Sequence, residues 1–153
     1  MSTENKSEYM LLFRGNDWSQ GLSPEEMQNV VGQWMSWFQG LMAQGKAVAG
    51  SPLERGGKLV SGKNGKSVVS DGPFAESKEA IGGYFLLNVD SMEEAVAIAQ
   101  QCPGLPYGAK VEVRQIIERC GEANEADFKK ELIARNLVHG PPANDKKLAT
   151  ANA

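Results

Sequence analysis

Tyr84-Phe85-Leu86-Leu87 places bulky apolar side chains on both faces of one strand, which reads as Ile81 to Val89. Alternate residues of a strand point to opposite sides. A sheet that holds this segment must therefore be covered twice. The chain supplies two amphipathic helices, which cover one face. The other face would leave an apolar patch of a size that monomers in water avoid. Two covers are open: a second copy packed sheet against sheet, or a C-terminal helix folded back with Phe128 and Leu132.

The remaining elements follow from local signals. Tyr9 to Arg14 is an apolar run of strand length, and Gly15 to Gly21 is turn-rich. Ser23-Pro24-Glu25-Glu26 predicts a helix start: Ser23 as N-cap, Pro24 at the first position, Glu26 closing a capping box. Met27, Val30, Val31, Trp34, Met35, Phe38, Leu41 and Met42 follow helical spacing and read as a core stripe, with Gly45 as the stop. Lys46 to Gly50, Leu59-Val60 and Ser67 to Ser70 read as short strands. Ser91-Met92-Glu93-Glu94 reads as a second capping box before a helix that stops at Pro103-Gly104. Val111 and Val113 alternate with Lys110, Glu112 and Arg114 in a half-buried final strand through about Ile117. The order strand, helix, strand, extra hairpin, strand, helix, strand predicts an α+β fold. It is the ferredoxin-like βαββαβ sheet with two helices on one face, plus a hairpin inserted around residues 55–70.

A chain of 153 residues fits one domain with a tail. We expect a flexible N-terminus over 1–7, the α+β domain over 8–120, a short helical extension over 121–138 and a disordered tail over 139–153. The net charge of -3 and pI near 5.3 argue against a general binder of phosphate backbones. No apolar run approaches the roughly 20 residues of a membrane span. Cys102 and Cys120 are too far apart for a redox pair or a zinc ribbon and read as free thiols. With no signal-peptide pattern at Met1 to Glu8, the expected location is the cytoplasm. No metal or cofactor motif is found.

Gly57 to Asn64 nearly spells a phosphate-binding loop, but Asn64 replaces the required hydroxyl residue and a strand follows where a helix should open. Arg55, Lys58, Lys63 and Lys66 remain a basic loop that could draw small anions toward a nearby cleft. His139, beside Gly140-Pro141-Pro142, has no sign of the packing that a catalytic imidazole needs. Asp71 ends a strand. It has two compatible readings: it accepts a hydrogen bond from the backbone of its own turn, or it enters a pocket as a ligand-binding or acid–base group. Arg114 either clamps an anion with its planar fork or forms an ion pair with Asp71 or Glu112. Arg14 is a weaker candidate of the same kind.

The turn Asp71-Gly72-Pro73-Phe74-Ala75-Glu76-Ser77-Lys78-Glu79, the strand Gly82-Gly83-Tyr84-Phe85, the helix after Ser91 and the strand Val111-Glu112-Val113-Arg114 occur in one order. With the long first helix, they resemble the YCII-related family, in its subgroup named after the DGPF tetrapeptide. The resemblance covers roughly Tyr9 to Ile117. It implies a dimeric α+β barrel and little about activity. Some members are joined to, or near, alternative sigma factors. Enzyme-like relatives carry a His–Asp pair in a pocket beside the sheet. Asp71 matches the aspartate, and nothing in the shared region matches the histidine.

Two functions follow as expectations. One is a pocket for a small anionic or polar-aromatic molecule, with acid–base chemistry of an elimination type at Asp71. Arg114, Lys78, Glu112 and Arg14 would bind the ligand, and Phe74 and Tyr84 would form the walls. The other is a non-catalytic interaction or regulatory module, for example one linked to sigma-factor-dependent transcription.

Overall fold

The computed structural model describes residues 6–15, 18–72, 80–117 and 124–135. Phe74, Lys78, Cys120, His139 and the expected tail lie outside the described residues. Two compact units are present, Met1–Ile116 and Ile117–Ala153.

The first unit is a mixed α+β structure, compatible with the ferredoxin-like plan. Its main sheet contains β1 (Ser7–Arg14), β2 (Ala47–Pro52), β5 (Ile81–Val89) and β6 (Lys110–Ile116) in the order β2-β5-β1-β6. All neighbours are antiparallel. Helices α1 (Pro24–Ala43) and α2 (Met92–Ala99) connect β1 to β2 and β5 to β6. Between β2 and β5 the chain forms a separate two-stranded antiparallel sheet, β3 (Lys58–Lys63) with β4 (Lys66–Asp71). The tight connection at its tip puts Asn64 and Gly65 at φ 52° and 77°, a conformation that Asn and Gly tolerate best.

Strand periodicity divides the main sheet cleanly. Tyr9, Leu11 and Phe13 of β1 and Phe85, Leu87 and Val89 of β5 are buried against the helices, joined by Ala95, Ile98 and Ala99 of α2. Val111 and Val113 pack on the same core. The opposite face carries Met10 and Leu12, in register with Leu86 and Tyr84 on one side and with Arg114 and Glu112 on the other. These four apolar side chains are only half-buried within the unit.

Helix α1 begins as its sequence predicts: Ser23 Oγ accepts from Glu26 N and Glu26 Oε1 accepts from Ser23 N, both at 3.1 Å. The second start differs. Ser91 Oγ accepts from Glu94 N at 3.1 Å, but the Glu94 carboxylate accepts from Asp90 N at 3.2 Å and pairs with Lys46. The box is therefore not reciprocal. The Asp90 amide, followed by the Lys46 ammonium, holds the Glu94 carboxyl below its usual range.

The apolar stripe of α1 needs a correction. At about 100° per residue the eight positions form a band about 140° wide. Only Val30 and Leu41 in it are buried. Val31, Met42 and Met35 form one edge of the band, and all three are exposed. Trp37, on the other side, packs on the core instead. The helix thus faces the sheet along a narrower line than its spacing suggests.

The second unit contains α3 (Glu125–Ala134), capped by the Asn124 side chain accepting from Asp127 N. Its surface carries the i,i+4 pairs Glu125–Lys129 and Glu131–Arg135.

Candidate functional site

The exposed edge of α1 borders a cavity of about 610 Å³ between that helix and one end of the main sheet. Phe13 and Phe85 form its floor, and Trp34 and Phe38 rise from α1 beside them. These rings hold one another edge to face: Phe13–Trp34 centroids lie 4.8 Å apart at 82°, and Phe13–Phe85 4.9 Å apart at 80°. Such contacts add roughly 0.5–1.5 kcal/mol each beyond area burial. The wall is therefore preformed rather than soft.

Glycines make room for it. At Gly50, on β2, a Cβ would stand 2.7 Å from Phe85 Cδ1 and 2.9 Å from Phe38 Cε1. At Gly104, a Cβ would stand 3.2 Å from Trp34 Cζ2. Trp18 stacks on Trp34 with centroids 6.0 Å apart and closes one side. Exposed Val31, Met35 and Leu53 surround the mouth.

Two arginines border the cavity, Arg14 and Arg55. A register shift between Phe13 and Arg14 interrupts the β1–β5 ladder. Arg14 Nε and Nη2 both hold Glu112 Oε1, at 2.8 and 2.6 Å, while Arg114 Nη1 donates to Glu112 Oε2 at 3.1 Å. Arg14, first, and Arg114, second, hold the Glu112 carboxyl below its ordinary range. Arg55, in the exposed loop after β2, makes no ion pair or hydrogen bond with any described residue. Among the described residues, its fork is left open at the mouth.

The residues singled out from sequence are brought together only in part. Arg14, Glu112 and Arg114 form one charge cluster, and Tyr84 lies on the same sheet face, two strands from Glu112. Tyr84 is thus on the opposite side of the sheet from the aromatic cavity. Asp71 stands apart from both. It ends β4 opposite Lys58, its side chain is 78% exposed, and its carboxylate pairs with the Lys58 ammonium at 2.5 Å. The expected desolvated carboxyl is not observed. Its partner among the described residues is the lysine of the neighbouring strand, and the amides of its own turn from Phe74 onward lie outside the described residues. Phe74 and Lys78, which would complete that group, lie outside the described residues.

The aromatic walls were missed because helical spacing does not distinguish a packed ring from one lining a void. A signal was available in the breadth of the α1 stripe, wider than two buried residues require. Among the described residues, no three His, Cys, Asp or Glu side chains cluster as metal ligands would. Cys102 is buried and free, with its thiol pushed up by burial. No described helix is long and apolar enough to cross a membrane.

Residues 7–119 match the YCII-related domain, most of the chain. A shorter stretch of 53 residues is 38% identical to an uncharacterised protein of Rhizobium meliloti (strain 1021), covering 34% of this chain and 43% of that protein. The chain thus spans less than half the length of that relative.

Proposed function

The chain belongs to the YCII-related family, and from that premise we propose that it binds a small molecule with an apolar or aromatic body and an anionic end. The occupied site is the cavity between α1 and the sheet. The observation that carries this reading is an aromatic-walled space of about 610 Å³ with, at its mouth, an arginine that pairs with no described residue. That volume suits a small ligand, and a few polar groups around an apolar lining suffice to orient one. Arg55 supplies the anion contact, while Arg14 stiffens the rim through Glu112. No proton transfer is assigned to Asp71, because its carboxylate is solvated and already paired.

Within the same proposal, the Asp71-Gly72-Pro73-Phe74 turn supports membership of the DGPF subgroup. The half-buried row of Met10, Leu12, Tyr84 and Leu86 supports a homodimer packed sheet to sheet; the cytoplasm is its proposed location. The interaction-module reading draws on the exposed Val31, Met35 and Leu53. These residues serve a ligand's apolar end equally well.

Trp18 and Trp34 provide the readout. Aromatic carboxylates such as benzoate and 4-hydroxybenzoate should quench or shift tryptophan emission saturably. The matching amides should bind at least tenfold more weakly. Arg55→Ala should cost the carboxylates a similar factor, as a charge-assisted hydrogen bond of about 1.5–3 kcal/mol implies. Equal response to acid and amide, or no saturable response to either, would remove the proposal.

A further inference from the structure

We propose that the β3–β4 hairpin is an arm with which one copy of this chain clasps a second copy. The hairpin is a sheet of its own, and neither strand packs extensively on any other element. An isolated two-stranded hairpin is marginal in water at best. This one is also apolar on both sides. Val60 lies opposite Val69 on one face, 65% and 63% exposed, while Leu59 and Val68 share the other face. Four large apolar side chains on a free-standing arm expect a cover on each side.

Charge indicates what covers it. Residues 58–71 hold three basic residues, Lys58, Lys63 and Lys66, against Asp71 alone. The rest of the chain has thirteen basic and eighteen acidic residues. A cationic arm on an anionic body is attracted to another such body, and opposite fields steer their encounter. Two-fold symmetry then supplies both covers at once. In a two-fold pair each arm lies on the partner's body with one face and meets the partner's arm with the other. A flat partner, such as an anionic membrane, would cover one face and leave the second wet.

The clasp is independent of the ligand cavity and separate from sheet-to-sheet packing, since the hairpin lies outside the main sheet. The test uses the full chain. Hydrogen exchange of the hairpin amides should be slow in concentrated wild-type protein and accelerate on dilution or on raising salt. The variant L59S/V60S/V68S/V69S should keep the wild-type circular dichroism and raise the dimer dissociation constant at least tenfold by light scattering. A sheet-face variant, Leu86→Ser, should weaken the dimer yet leave hairpin protection present at concentrations high enough to restore the pair. Hairpin exchange that is fast and independent of concentration would overturn the clasp, as would an unchanged dissociation constant in the quadruple variant. Protection that appears only on adding duplex DNA or anionic vesicles to a monomer would overturn it too. Loss of dimer in Leu86→Ser alone would leave the sheet-face reading standing without the clasp.

Discussion

Replacing Gly50 by alanine adds one methyl group where three neighbours leave no space. The new carbon would lie 2.7 Å from Phe85 Cδ1, 2.9 Å from Phe38 Cε1 and 3.1 Å from the Tyr84 carbonyl oxygen. Carbon atoms settle at about 3.5–4.0 Å, so each ring must retreat by roughly 0.6–1 Å. The carbonyl belongs to the adjoining strand and cannot retreat without bending the ladder. Phe85 is hemmed in by Phe13, Phe38 and Trp37, with ring centroids at 4.9, 4.6 and 5.0 Å. The open direction is the cavity. Overpacking of this kind costs about 1–3 kcal/mol, and alanine recovers about 0.5–1 kcal/mol of the glycine's strand penalty. That recovery applies because Gly50 is not among the positive-φ residues. A net loss of about 1–2 kcal/mol should lower the melting temperature by roughly 3–8 °C. Urea unfolding should give the same loss with an unchanged slope. Binding in the cavity should weaken in parallel, since displaced rings occupy it. Phe38→Leu removes the second clash, so Gly50→Ala should cost at least about 0.5 kcal/mol less in that background. A Gly50→Ala protein as stable as wild type would refute the steric argument. So would a cost indifferent to residue 38.

Two further outcomes rest on polar contacts. Glu112→Gln removes the charge that Arg14 and Arg114 share. Because the folded carboxyl titrates below its unfolded value of about 4.3, its stabilisation is complete above that pH and fades as pH falls through the lower folded value. The stability gap between wild type and variant, followed by urea melts, should therefore be widest near neutrality and close in acid; a constant gap would contradict the pairing. Ser23→Ala removes the cap of α1 and should cost about 1 kcal/mol by thermal denaturation, with Glu26→Gln milder because it retains an acceptor. If Ser23→Ala were neutral, the capping box would carry no weight.

Much of the architecture was legible because its signals are local. The Ser23-Pro24-Glu25-Glu26 start, the Gly45 stop and the limits Ile81 and Val89 need only neighbours in the chain, and the structure reproduces them. The alternation of Val111 and Val113 with Glu112 and Arg114 put valines and charges on opposite faces, and the structure turns the valines toward the core. Long-range matters were harder to read. Whether Trp34 fills a core or lines a void depends on how closely Gly50 on β2 approaches Phe38 and Phe85 and how closely Gly104 approaches Trp34, at positions distant in the chain. Asp71 drew notice for its unusual turn, but its partner is fixed by the β3–β4 register. Arg55 stood out only as one charge among four. Its place at a cavity mouth depends on where β2 ends.

Among the described residues strand β6 pairs on one side only, and such a border strand can slide along its neighbour more easily than an interior one. A shift of one residue would turn Glu112 and Arg114 inward together and leave the Arg14 guanidinium without its anion. The Arg14–Glu112–Arg114 bridge therefore works as a proofreading device. It makes the misaligned sheet costly at a margin where backbone pairing alone would tolerate the error.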